Sequence, residues 1–189
     1  MARVVSVNLG TARSWDWNGH PVRSAIGKAP VRGRVKVLRL GLDGDEQADH
    51  RVHGGPRKAV YAYPIEHYPF WHAQLPAEEL PPGSFGENLT VEGIRESGLH
   101  LGDRLQIGSA TFEVTQPRLP CTKLNARFRR EDMIVRFARS LRTGFYLAVT
   151  EEGELGAGDE IELLAGGPGT PTVEESAIER LGPAGEAES

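Results

Sequence analysis

Short runs rich in valine, isoleucine and leucine recur along this 189-residue chain, and 23 glycines help to punctuate them. That pattern restricts the chain to an architecture of many short strands. Arg3–Leu9 reads as a strand. Residues 33–40 alternate Val35 and Val37 against Arg34, Lys36 and Leu38, as in a half-buried strand. Residues 105–107 and 111–116 read as a hairpin around Gly108-Ser109-Ala110. Residues 144–150 and 160–164 read as a further pair. Leu101-Gly102-Asp103 and Ala157-Gly158-Asp159 repeat a Gly-Asp turn ahead of a strand, either as a shared barrel device or as ordinary turn chemistry.

Helical patterns are fewer. Ile134, Val135, Ala138 and Leu141 fall at helical spacing within residues 131–141. Residues 65–75 form a weaker pattern, interrupted by Pro69. After a Gly- and Pro-rich linker at 166–171, Val173–Leu181 suits one short amphipathic helix, and GPAGEAES reads as a disordered tail. The expected fold is mainly β (β+α), a closed β-barrel with a few short helices rather than a βαβ fold. The expected division is a barrel domain over 1–164, then a linker, short helix and tail over 165–189.

Composition narrows the function classes. A net charge of −4 gives no general attraction to nucleic acid or anionic membrane, though it leaves room for a local basic face. A single cysteine excludes an internal disulfide and a multi-cysteine zinc site. No apolar run is long enough for a bilayer, so the expectation is a cytoplasmic protein kept reduced.

Three segments carry site chemistry. The first runs from Gly44 to Tyr61. Gly54-Gly55 can present backbone N–H groups to a ligand, Arg57 and Lys58 can neutralise a phosphate, and His53 can donate, accept or titrate. The same residues would also suit a long solvated turn. His50 and His53 could ligate a metal, without an obvious third ligand nearby. The second, Gly83 to Val91, offers Phe85 to cover a ring and Asn88 to hydrogen-bond it, or else forms a turn with a buried anchor. The third is TQPRLPCTKLN, residues 115–125. Pro117 and Pro120 end a strand, and Arg118 and Lys123 flank Cys121 in a way that favours a thiolate. A free cysteine can equally be a small buried hydrophobe. Phosphate-loop, zinc-helix and nucleophile-elbow motifs are missing.

Five motifs in order, GDEQADHRVHGGPRKAVYAYP, GSFGENLTVEG, LGDRLQIG, TQPRLPCTKL and TGFYLAVTEEG, resemble the MOSC family, named after the C-terminal domain of molybdenum-cofactor sulfurase, and within it the stand-alone bacterial YiiM-type branch. The resemblance implies a strand-rich barrel, a pterin molybdenum cofactor, and Cys121 as metal ligand and catalytic residue with His53 and Lys58. It implies cofactor binding by Gly54, Gly55, Arg57, Lys58, Phe85, Asn88, Arg118 and Lys123. Relatives of this kind, such as the mitochondrial amidoxime-reducing component, reduce N-hydroxylated compounds, and the YiiM-type branch is associated with resistance to 6-hydroxylaminopurine. YiiM-type proteins also carry a C-terminal helical bundle, of which only residues 173–181 resemble the start here. The implied substrate is a small molecule. Since the sequence holds neither an iron–sulfur cysteine cluster nor a dinucleotide fingerprint, the implied electron donor is a separate reductase. Two alternatives use the same residues. One is a sulfur or cofactor carrier acting through Cys121. The other is an anion-binding module without turnover, for which pyridoxal phosphate on Lys58 or Lys123 is the conceivable ligand.

Overall fold

The computed structural model describes residues 1–47, 54–166 and 169–182. His50 and His53, read as possible metal ligands, with His53 also expected at the site, lie outside the described residues, as do part of the linker and the tail over 183–189. Thirteen strands and four α-helices are formed among those described. In chain order these are β1 (Arg3–Leu9), β2 (Arg13–Trp17), β3 (His20–Ser24), β4 (Ala29–Val31), β5 (Val35–Leu38), β6 (Gly41–Leu42), β7 (Val60–Pro64), α1 (Tyr68–Gln74), β8 (Leu89–Glu92), β9 (Arg104–Ile107), β10 (Ala110–Pro117), α2 (Thr122–Phe128), α3 (Met133–Ser140), β11 (Phe145–Glu151), β12 (Gly153–Leu155), β13 (Ile161–Ala165) and α4 (Val173–Leu181).

The expected closed barrel is not formed. The main sheet is open and mixed, in the order β13-β9-β10-β11-β7-β8-β1-β4, with β13 and β4 at its ends. The cause lies on the outer edge of β1. Residues Val7–Leu9 of that edge pair with β4. Only its beginning, with Ala2 before it, is left to meet the chain at the start of β13, through Val4 N to Asp159 O at 2.9 Å, Gly158 N to Val4 O at 2.8 Å, Ile161 N to Ala2 O at 2.9 Å and a single bridge between Arg3 and Glu160. The sheet thus curls toward itself without a closing ladder. One of its pairings, β7 with β8, is parallel. A parallel pair needs a crossover, and α1 lies on it, so the chain does contain one βαβ unit.

Other expectations meet specific corrections. Residues 144–150 and 160–164 form β11 and β13 but do not pair; β11 lies between β10 and β7, and β13 pairs with β9. The two Gly-Asp turns feed β9 and β13, which are neighbours. In each, the aspartate accepts from the backbone three residues earlier: Asp103 from His100 N at 2.7 Å, and Asp159 from Gly156 N at 2.9 Å. Helix α3 buries Met133 and Phe137 rather than Ile134 and Val135. Pro69 opens α1 instead of breaking it, since the first turn needs no N–H from that position.

Two apolar clusters result. One, centred on Val4, Val60, Leu105, Phe112 and Leu147, fills the curl of the sheet. The second is aromatic and packs Tyr63, Trp71, Phe85, Phe128 and Phe137 between the sheet and helices α1 to α3. Phe85 stacks on Tyr63 with centroids 5.0 Å apart, and Trp71 on Phe137 at 5.8 Å. This aromatic layer is the floor on which the candidate site rests.

Candidate functional site

A cleft opens above that floor, enclosing about 560 Å³ including its mouth. Its walls come from distant parts of the chain: Ser24 at the end of β3 with Ala25, Ile26 and Lys28 after it, Asp45 to Gln47, Lys58, Tyr61 on β7, Gly86 and Asn88 before β8, Arg118, Cys121 and Lys123 after β10, and Tyr146 on β11. The third sequence segment enters here for a local reason. Pro117 ends β10, Pro120 stiffens the loop, and Cys121 stands in an extended conformation as the N-cap of α2, half-buried.

One carboxylate organises the cleft. Asp45 Oδ1 accepts from Gly10 N at 2.8 Å and from the Lys28 ammonium at 2.5 Å, and its Oδ2 accepts from Asn88 Nδ2 at 2.9 Å. Lys28 and Asp45 are only 7% and 4% exposed at the side chain, so this is a buried ion pair. Burial pulls the Lys28 pKa below its ordinary value, and the facing Asp45 charge opposes that pull.

Arg118 is buried too. It donates to Phe85 O, and its guanidinium lies 4.8 Å from the Tyr61 ring centroid and 5.5 Å from that of Phe137. Tyr61 and Tyr146 lie with centroids 5.2 Å apart, and burial raises the pKa of both hydroxyls, so they serve as neutral donors. The described walls therefore carry four cations, Lys28, Lys58, Arg118 and Lys123, against the carboxylates of Asp45 and Glu46. Asp45 faces Lys28, while Glu46 accepts from Ala12 N at 2.7 Å. The surplus is positive and partly desolvated, which suits an anion.

Of the residues expected at a site, Cys121, Lys58, Asn88, Arg118 and Lys123 come together in this cleft. Asn88 braces it internally: its Oδ1 accepts from Tyr61 N at 3.1 Å, while its amide donates to Asp45. Phe85 is fully buried in the aromatic floor and does not reach the cleft. The 68% exposed Arg57 side chain points toward Glu113, 4.0 Å away. Gly54 and Gly55 pack against Gln47, whose Oε1 accepts from Gly55 N at 3.2 Å; a Cβ on Gly54 would run into the same side chain. His53 lies outside the described residues.

Lys28, Asp45, Tyr61 and Tyr146 carried no assigned role in the sequence. For Asp45, Tyr61 and Tyr146 a signal existed, since each falls inside one of the five motifs. Lys28 falls in none. Also unforeseen is Glu87, which is fully buried beneath the Gly83–Asn88 loop. It accepts from Gly83 N at 2.8 Å, Phe85 N at 3.0 Å and Tyr68 OH, and burial raises its pKa. Among the described residues no group of three or more His, Cys, Asp or Glu side chains could hold a metal by themselves.

The profile of the MOSC domain family matches residues 49–162. The chain is 42% identical to the uncharacterized protein YflK of Bacillus subtilis, over 87% of this chain and 74% of that one. It is 40% identical to protein YiiM of Escherichia coli, over 75% of this chain and 64% of that one. A protein of Gibberella moniliformis named Reductase is 37% identical over 77% of this chain, which spans only 26% of it. Among solved structures, YiiM from Geobacillus stearothermophilus superposes with a TM-score of 0.79 at 29% identity, covering 96% of this chain and 84% of that one. With more than half of its length matched by the family profile, and a fold shared with YiiM, the chain belongs to the MOSC domain family.

Proposed function

We propose that the cleft binds the pterin molybdenum cofactor and that the protein reduces N-hydroxylated compounds with electrons from a separate protein. The observation that carries this is the half-buried Cys121 thiol in a cleft with a surplus of cations. The donor set fits the group. A thiolate suits a soft metal centre, and Lys58, Lys123 and Arg118 suit the cofactor's phosphate. Tyr61 and Tyr146 keep their protons and present a polar, aromatic wall. Membership of the family and similarity to a fungal protein named Reductase support a redox role.

When bound, the cofactor supplies two-electron redox chemistry. The net reaction is R–NHOH + 2 H⁺ + 2 e⁻ → R–NH₂ + H₂O. The chain's own part is to fix the cofactor, keep its surroundings partly dry and hold protons near the substrate oxygen. Lys28, positioned by Asp45, stands at the cleft wall, able to hold such a proton.

Protein from a cofactor-competent host is expected to carry about one molybdenum per chain, as for one cofactor per site. Cys121→Ser is expected to lower hydroxylamine reduction by about 100-fold or more, since even groups behind a ligand are worth 10- to 100-fold. Absence of molybdenum with Cys121 intact would overturn the reading. So would a visible band lost on borohydride treatment, the mark of lysine-bound pyridoxal phosphate. Turnover also separates an enzyme from a carrier, for which a sulfur adduct on Cys121 without reduction is the expected result.

A further inference from the structure

The chain's charge is unevenly placed. Residues 118–142 hold eight of the 22 lysines and arginines and two of the 26 carboxylates, a local charge of +6. The remainder of the chain therefore carries −10. This segment begins at the cleft, with Arg118 and Cys121, and continues through α2 and α3. Its carboxylates are mostly engaged: Asp132 pairs with Arg130 at 2.9 Å and Arg136 at 2.5 Å, and Glu131 accepts from Asn18. Arg129 and Arg139 are exposed, and no carboxylate among the described residues pairs with either.

Arg129 borders a hollow shared with Asp16, Trp17 and Asn18, and on the α3 side the segment is concave and partly apolar. A groove of about 1020 Å³, open to solvent, runs between α1 and α3, lined by Phe70, Val135, Arg136, Arg139 and Arg142. The Arg142 guanidinium lies 4.0 Å over the Phe70 ring, and Val135 is 47% exposed. Only one helix separates groove from cleft. The inner side of α3 carries Phe137, which packs beneath Arg118, while the outer side carries Val135 and Arg139. The layer between is solid aromatic packing, with Trp71 on Phe137 and Tyr63 on Phe85.

We infer that this arginine-rich α2–α3 face is the docking surface for an acidic electron-donor protein bearing a reduced flavin or iron–sulfur centre. The inference rests on the reductase reading above, which requires two electrons from outside the chain. A partner docked here delivers them across about one helix diameter, ~10 Å. Charge complementarity selects the partner's chemistry. A nucleic acid is a poorer fit, because the rest of the chain has a formal charge of −10 and gives a long polyanion no further general attraction. Exposed Val135 in the groove adds the apolar contact typical of a protein interface.

The test uses cofactor-loaded wild type and Arg129→Glu/Arg139→Glu, with two donors for an N-hydroxylated aromatic substrate. Reduced methyl viologen is small enough to need no docking surface; photoreduced flavodoxin is an acidic flavoprotein. Equal rates are expected with viologen. With flavodoxin, kcat/KM of the variant is expected to fall about 10-fold at low salt, the gap closing as ionic strength rises. Equal use of flavodoxin by both proteins overturns the assignment, as does failure of a viologen-active wild type to use flavodoxin. Calorimetric binding of oxidised flavodoxin is read independently. If neither donor supports turnover the cofactor reading falls, while this binding still decides the surface, and its absence in wild type overturns it. A short DNA duplex, or self-association, sensitive to the same two substitutions would reassign the face.

Discussion

At the scale of single residues, the cleft depends on Asp45 more than on any group named for chemistry. Its carboxylate joins Gly10, Lys28 and Asn88. Removing one partner of a buried ion pair leaves the other charge uncompensated, a loss of about 3–5 kcal/mol. Asp45→Asn is expected to lower stability by that amount in chemical denaturation. In a Lys28→Met background the same substitution should cost much less, because no stranded ammonium remains. Equal costs in both backgrounds would refute the pairing as the source. The pair also shows why the site was only half legible. Cys121, Arg118 and Lys123 stand together in the sequence, so their mutual influence could be read there. Lys28 stands between Gly27 and Ala29 with no charged neighbour in sequence, and only the fold brings it to Asp45. Phe85 shows the opposite case. An aromatic between two glycines left a ligand cover and a buried anchor both open, and five aromatic neighbours from β7, α1, α2 and α3 make it the anchor.

At the scale of elements, local signals were reliable where they were self-contained. β1 and α4 form over the residues their patterns mark. Helix α4 carries a full capping box: Thr172 accepts from Glu175 N at 3.0 Å, and the Glu175 side chain accepts from Thr172 N at 2.8 Å. Thr172→Ala is expected to cost about 1 kcal/mol, measured as a drop in denaturation midpoint at unchanged slope. A null result would mean that packing of Val173 and Ala177, both fully buried, holds the helix without its cap. Partner choice between elements was less legible. β13 takes β9 rather than β11, because β11 already has neighbours on both edges. The buried side of α3 was misread because Met133 and Phe137 lie four apart beside an equally apolar Ile134–Val135 pair. Nothing local says which pair meets the aromatic floor. The β2–β3 hairpin was passed over although its Asn18-Gly19 turn, with φ of 52° and 76°, is the favoured chemistry for a two-residue hairpin.

At the scale of the whole molecule, stability is unevenly spread. β10 and β11 sit centrally in the eight-stranded sheet with largely buried side chains, whereas β2 and β3 pair only with each other and are mostly exposed. Native-state hydrogen exchange is therefore expected to be slowest in β10 and β11 and faster by orders of magnitude in the β2–β3 hairpin. Comparable protection in the two regions would contradict this ranking. The expectation of a closed barrel failed at this scale as well. Closure depends on whether β1 keeps its outer edge for β13, and Ala29 to Val31 take three of its seven residues.

The ties made by Asp45 also impose an order of events during synthesis. They span 35, 17 and 43 positions along the chain, so the cleft cannot assemble from any one local unit. Tyr146 comes last among the cleft residues, 25 positions behind Cys121. As the chain leaves the ribosome, the thiol emerges before the strand that carries its final wall, and it is at first uncovered. On the proposed reading, cofactor capture by a nascent chain would have to wait for β11, as a late step of maturation.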